Sequence, residues 1–308
     1  MSLKPSDSAR PLTPAPAAQQ FTLSASQTPS GDQSAPVRPR FLIESEESGV
    51  QLDLAEFWTY RELLYFLIWR DIKVRYKQTL MGAAWVIIQP LCTMLIVTLI
   101  FHRLGGLEAG ALPYPLFAYA GLLLWTFFAN AVGNSTGSLV QNTSLITKVY
   151  FPRLFIPAAA TAAGLVDLVV ASIILFALAF YYQVALTWSL LLLPGFVALL
   201  VLLALAVGLL ISALTVKYRD LRHVVPFMMQ FWFFASPVIY PATKLQGRWY
   251  WLLAANPVTG IVEGFRAALA GSALPLGPVA IAAVLTCALV VAATYIFRRL
   301  EATFADVI

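Results

Sequence analysis

The chain has 308 residues, 60% of them hydrophobic and only 11% charged, with a mean hydropathy of +0.78 and a formal net charge of +5. Soluble globular chains carry about 25% charged residues, so a water-soluble fold is excluded and lipid must solvate part of this apolar surface. Cys92 and Cys287 both sit in apolar runs and no Cys-x-x-Cys or His/Cys cluster exists, so neither a disulfide framework nor a metal site is indicated.

In chain order, residues 1–50 are rich in Pro, Ser, Ala and Gln and lack hydrophobic periodicity. They read as a disordered tail held in the cytosol, and not as a signal peptide, because no basic stretch precedes an apolar one. Residues 51–79 contain an expected helix over 53–77, capped by Asp53, with Phe57, Leu64, Ile68 and Ile72 at helical spacing and Trp58, Tyr65, Trp69 and Tyr76 beside them. A short apolar stretch with aromatics and basic residues suits a helix lying in the cytosolic headgroup layer. Packing of the same helix on a bundle is compatible with that position.

Spans are expected over about 80–101 (interrupted by Gln89-Pro90), 114–133, 155–182, 187–215, 224–240 and 278–297. Each approaches or exceeds the roughly 20 residues that cross hydrocarbon. The fifth is short and ends in Ser236-Pro237-Val238-Ile239-Tyr240-Pro241. Between the last two, Asn256 can cap a helix opened by Pro257 and stopped by Gly271. About 14 residues, or about 21 Å, is too short to cross comfortably. With residues 243–255 it reads as a re-entrant or surface-lying external hairpin, in which Glu263 and Arg266 can pair.

The expected fold is therefore an all-α polytopic membrane protein with six spans. With the N-terminus inside, 16 of the 20 Lys and Arg residues fall on the cytosolic side, leaving Arg103, Lys244, Arg248 and Arg266 outside. The positive-inside rule then gives N-in and C-in. His102 and His223 lie far apart at segment ends, which fits structural or interfacial roles.

No phosphate loop occurs, since no Gly is followed by Lys, and neither His-Glu-x-x-His nor Gly-x-Ser-x-Gly is present. No catalytic or metal-binding residue is assigned. Uphill transport would need energy from a partner or an ion gradient. Asp167 is essentially the one ionisable group within the spans, and it fits either a proton or substrate site or a hydrogen bond to nearby Ser or Thr that holds helices together. The polar loop 136–153 and the turn Lys217-Tyr218-Arg219-Asp220 are placed to dock a cytosolic engine or to serve as plain connectors. Trp125, Phe127, Phe128, Phe231, Trp232, Phe233 and Phe234 cluster in two spans, suited either to weak stacking on sugar rings or to lipid-facing packing.

The run Arg70-Asp71-Ile72-Lys73-Val74-Arg75-Tyr76-Lys77-Gln78-Thr79-Leu80-Met81-Gly82-Ala83-Ala84-Trp85, then Gln89-Pro90, Ser236-Pro237-Val238-Ile239-Tyr240, and Asn256-Pro257 with Arg266 downstream, resembles type-2 ABC exporter permeases. More narrowly it is similar to the branch that exports O-antigen, capsular polysaccharide and teichoic acid, over about residues 53–300. The resemblance implies a permease domain over 80–308, a homodimeric pore and two separate ATP-binding cassette subunits. This chain would hold no cofactor; ATP and Mg would sit on the partner. A lipid-linked polysaccharide would be driven from the cytosol across the bacterial cytoplasmic (inner) membrane, with no nucleic acid involved. Channel candidates are Trp85, Trp125, Phe127, Phe128, Trp232, Phe234 and Tyr240. Arg70, Lys73, Arg75 and Lys77 are candidates for a lipid diphosphate or for interface anchoring. Thr147, Lys148, Tyr150, Phe151 and Arg153 belong to the expected coupling or gate loop, and Asn256, Glu263 and Arg266 to the external hairpin. The alternatives are a permease for a drug or small lipid, a membrane enzyme or scaffold of glycan assembly, and an ion-coupled carrier.

Overall fold

Helices account for all regular structure in the computed structural model, which describes residues 58–77, 82–149, 151–185, 187–245 and 247–307. The expected tail 1–50, the start of the interfacial helix through Phe57, and Tyr150 of the expected gate loop lie outside the described residues. The helices are α1 (Arg61–Lys77), α2 (Gly82–Val97), α3 (Tyr114–Gln141), α4 (Thr143–Lys148), α5 (Phe155–Tyr181), α6 (Leu193–Lys217), α7 (Leu221–Phe234), α8 (Arg248–Ala254), α9 (Pro257–Ala270) and α10 (Leu276–Val307). A π-helical stretch, Thr98–Leu104, continues α2, and a 3₁₀ turn, Trp188–Leu192, leads into α6.

Five helical segments are long and apolar enough to cross a membrane: Ala84–Leu104, Tyr114–Gln141, Phe155–Tyr181, Trp188–Lys217 and Leu276–Glu301. They coincide with five of the expected spans, with one boundary corrected. The second runs on to Gln141 instead of stopping near 133. Its polar end stays helical because hydroxyls return to the backbone, Thr136 donating to the Val132 carbonyl and Ser138 to that of Ser135, both at 2.8 Å.

The expected fifth span is a helix of only 14 residues, α7. At about 1.5 Å per residue it covers about 21 Å, short of the roughly 30 Å hydrocarbon layer. The chain beyond it still follows α3. Arg222 and Val225 share a cavity with Val140 and Gln141 near the last turn of α3. The Tyr114 hydroxyl, at its first turn, donates to the Ile239 carbonyl at 2.8 Å.

α3 is the core of the bundle. Its most apolar window is 78% buried, against 17% for Ala84–Leu104. It packs on α5, α6, α2, α7 and α9. Close approach depends on small residues: Ser135 meets the Thr161 hydroxyl at 2.9 Å, and a side chain at Gly208 would run into Ser135.

α9 matches its sequence signals at both ends. The Asn256 side chain accepts from the Val258 amide at 3.1 Å, and Gly271 takes the left-handed conformation (φ 65°) that stops the helix. The surface-lying form of the expected hairpin is corrected for its second half only, since Trp249, Trp251 and Leu252 of the first half are exposed. From Pro257 to Leu269 every residue except Glu263 is buried, against α10, α6 and α3. α9 is an inserted wedge, because its small residues let neighbours approach on several sides. At Gly260 a Cβ would fall on the Pro278 carbonyl and the Ala282 methyl. His102 is structural, as expected at a segment end: its ring stacks on Tyr114, centroids 5.3 Å apart.

α1 packs against α5 through buried Leu67, with Leu63, Leu64 and Ile68 half-buried beside it, and turns Tyr65, Phe66 and Trp69 outward. Bundle packing, one of the two expected placements, is thus present, with an aromatic face left uncovered. Near the end of α1, Arg75 Nη1 lies 2.5 Å from Asp167 Oδ2 on α5, and the Tyr76 hydroxyl donates to Asp167 Oδ1. Asp167 therefore holds helices together, but through α1 and not through the Ser or Thr neighbours expected from sequence.

Three outcomes are expected from this packing. Gly260→Ala lowers the thermal stability of the detergent-solubilised protein by about 1–3 kcal/mol through overpacking, read as a fall in the unfolding midpoint. In a double-mutant cycle, Arg75→Gln and Asp167→Asn couple by about 1–3 kcal/mol, so the double variant is less destabilised than the two singles added together. Burial first, and then the hydrogen bond to Asp167, push the Tyr76 phenol from its ordinary 10 to about 12. The fold thus favours protonated Tyr76, and that contribution is fully present below about pH 10 and lost as pH rises through about 12. Unfolding midpoints from pH 9 to 12 should fall more steeply for the wild type than for Tyr76→Phe.

Candidate functional site

A groove of about 380 Å³ opens where α2 and α7 lean on α3. Pro90 and Pro226 form part of its walls, each removing a helix donor within its own helix. Its polar lining is Gln89, Thr93, Thr126 and Gln230, and its aromatic lining is Trp125, Phe233 and Phe234. None of these groups carries a charge. A smaller cavity of about 120 Å³ lies between α2, α3 and α5, with Trp85, Gln89, Asn130 and Asp167 in its wall. Side-chain amides, hydroxyls and ring faces without fixed charge make weak, interchangeable contacts with a neutral hydrophilic chain. They suit passage better than tight capture.

The sequence-selected aromatics divide by placement. Trp85 and Phe234 are 58% and 59% exposed. Trp125 borders the groove but is otherwise buried, packed on Phe128 at 5.7 Å and Phe233 at 5.6 Å between ring centroids. Phe128 is fully buried, edge-on to Trp232 at 5.2 Å, so these two rings join α3 to α7. Phe127 is buried in the wall of the smaller cavity beside Gly164. Tyr240 is half-buried and donates to the Phe234 carbonyl at 3.0 Å, closing the turn after α7. Sequence reasoning missed Thr93, Thr126 and Gln230 of the groove wall and Asn130 of the smaller cavity. Their signal was isolated polar side chains inside apolar spans.

The four basic residues of α1 singled out from the sequence also part company. Arg70 pairs with Asp71 at 2.8 Å and Arg75 with Asp167. Lys73 is exposed, its ammonium 5.6 Å from the Trp69 ring centroid, and Lys77 is exposed. In the expected gate loop, Thr147 donates to the Thr143 carbonyl within α4 at 3.0 Å, and Lys148 is exposed. Phe151 is buried. Arg153 is tied to the last helix, its amide donating to Glu301 Oε1 at 3.2 Å and its guanidinium to the Glu301 carbonyl at 2.8 Å. α4 thus hangs between the end of α3 and an anchor on α10.

At the opposite end of α3, Arg266 is buried on α9, its guanidinium 3.5 Å from the Phe117 ring centroid. It donates to the carbonyls of Phe117 at 3.1 Å, Pro237 at 2.6 Å and Val238 at 2.5 Å. Glu263, one turn earlier, lies 3.6 Å away, the pairing expected from their spacing. Asn256 does for α7 what Arg266 does for the turn: besides its cap it accepts from Trp232 Nε1 at 3.1 Å and donates to the Ala235 carbonyl at 3.3 Å and the Ser236 hydroxyl at 2.8 Å. Among the described residues no group of three or more His, Cys, Asp or Glu can hold a metal.

Comparison with known proteins agrees with this architecture. The family model described as ABC-2 type transporter matches residues 62–270. The O-antigen export system permease protein RfbA of Myxococcus xanthus is 30% identical over 254 residues, covering 82% of this chain and 97% of the relative. RfbA of Klebsiella pneumoniae is 26% identical over 249 residues, covering 80% and 95%. The polysialic acid transport protein KpsM of Escherichia coli is 23% identical over 215 residues, covering 66% and 79%. A bundle of membrane-crossing helices around an uncharged groove, matched over most of its length by export permeases, places this chain in the ABC-2 type transporter family.

Proposed function

We propose that the chain is the channel-forming permease of an ATP-driven exporter that moves a lipid-linked polysaccharide from the cytosol across the bacterial inner membrane. The observation that carries this reading is the groove between α2, α3 and α7, lined by Gln89, Thr93, Thr126, Gln230 and aromatic rings with no charge among them. The names of the related proteins, O-antigen export permease and polysialic acid transport protein, point to the same cargo class. A second copy of the chain, facing α2 and α7, closes the groove into a pore. Support comes from the exposed apolar residues there: Ile88, Leu95, Phe227 and Phe231.

Six crossings with both ends inside fit the path of the chain. α7 and the Ser236–Tyr240 turn together accompany α3 from one end to the other, which supplies the sixth crossing that α7 alone is too short to make. On the cytosolic side α4 offers a short exposed helix between two long ones, suited to contact a separate ATP-binding cassette subunit, which would hold ATP and Mg. Lys73 and Lys77, exposed on α1, are then the cations best placed to meet an anionic lipid headgroup, while Arg70 and Arg75 are occupied within the protein.

The test is reconstitution of the chain with its cognate ATPase in proteoliposomes loaded with a lipid-linked glycan. ATP-dependent export is expected, with Gln230→Leu and Phe234→Ala each slowing it several-fold while leaving ATPase binding unchanged. Transport of hydrophobic amphiphiles with exclusion of glycans, or ATP hydrolysis by the chain alone, would refute the proposal.

A further inference from the structure

A second groove, of about 500 Å³, lies beside the C-terminal end of α7, between it, α8 and the start of α9. Its volume falls within the roughly 300–1,000 Å³ of ligand pockets. It is lined by Trp232, Leu245, Trp249, Leu252, Leu253 and Asn256. Asn256, the polar side chain of this lining, is fully engaged within the protein: Oδ1 accepts from Trp232 Nε1 and the Val258 amide, and Nδ2 donates to the Ala235 carbonyl and the Ser236 hydroxyl. These same bonds occupy the Trp232 indole N–H. The floor thus has no amide left for a sugar hydroxyl, and what remains is an apolar slot.

Two cations adjoin lining residues in the chain. Lys244 and Arg248 are both exposed and flank Leu245 and Trp249, and the Arg248 guanidinium lies 5.5 Å from the Trp249 ring centroid. In the orientation proposed above, these are two of only four Lys or Arg residues outside the cytosolic face. That position runs against the positive-inside tendency. Trp249, Trp251 and Leu252 are 57%, 58% and 66% exposed, as expected of a helix that meets lipid at the headgroup level. A hydrocarbon slot with indole walls and two exposed cations next to its lining residues in the chain matches one occupant: a diacyl lipid with an anionic phosphate headgroup.

We infer that α8 and the end of α7 form a binding site for an anionic phospholipid of the surrounding bilayer, one acyl chain lying between Trp232 and Trp249 and the phosphate meeting Lys244 and Arg248. The bound chain completes the wall between α7 and α8 and fixes α8 in the interface. Only the side of the membrane rests on the export reading; the chemistry of the slot does not.

The test uses the complex of full chain and ATPase purified from nanodiscs of equal parts phosphatidylglycerol and phosphatidylcholine, with retained lipid identified by native mass spectrometry. Phosphatidylglycerol should be retained in preference. Each near-surface cation contributes about fivefold to anionic-lipid affinity, so Lys244→Ala with Arg248→Ala should lower retention about 25-fold. Leu252→Glu, which places a carboxylate in the slot, should abolish it. As a check on the position of the acyl chain, a bromine-labelled chain should quench wild-type tryptophan fluorescence more than it quenches Trp249→Phe. Equal retention of both lipids, unchanged retention in the variants, or displacement of phosphatidylglycerol by an equimolar short polyprenyl diphosphate overturns the inference. Transport is not part of the readout, so failure of the export proposal is separately visible.

Discussion

In hydrocarbon every backbone amide and carbonyl must find a partner within the protein, and this chain meets that demand at its weakest point with one guanidinium. The helical ladder stops at Phe234, and the residues after it leave carbonyls that no helix can satisfy. Arg266 reaches from α9 to the carbonyls of Pro237 and Val238 and to that of Phe117 on α3. Gly121 makes the approach possible, since a Cβ there would fall on the guanidinium and on the Val238 carbonyl. Three segments distant in sequence are joined by a planar fork of donors whose geometry lysine does not reproduce. The neighbouring Glu263 partly balances the charge.

The middle of the bundle is built on the same logic with a different pair. Asp167 would be a costly group in a span, and α1 neutralises it by bringing Arg75 and a tyrosine hydroxyl into place. α1 is thereby bound to α5 by charge as well as by Leu67. Any movement of α1 relative to α5 must break that ion pair, which couples the first helix to the third long apolar one.

Much of the fold was legible in the sequence because hydrocarbon imposes a length rule. Five apolar runs became five long helices, and Asn256, Pro257 and Gly271 set the limits of α9 through local backbone chemistry. Other features depend on partners far away in the chain and leave no local mark. Nothing adjacent to Asp167 announces residues 91 and 92 positions upstream as its partners. The burial of α9 follows from the fit of Gly260 and Gly264 against α10 and Phe196, which periodicity does not encode. Phe128 and Phe234 carry the same side chain in equally apolar surroundings, yet one is locked between helices and the other faces outward. The groove was visible only as scattered polar residues until the helices brought Gln89, Thr126 and Gln230 together.

The near-complete enclosure of α3 has a mechanical consequence. Interiors are close-packed, so a helix walled in by its own chain cannot shift without disturbing most of its neighbours at once. Within one copy α2 and α7 are less enclosed: the window Ala84–Leu104 is mostly uncovered, and Val225 and Met229 are the buried residues of α7. Widening for a bulky polymer would meet least obstruction as a swing of these two outer staves against α3 as their keel. Their prolines, Pro90 and Pro226, are where such staves would flex.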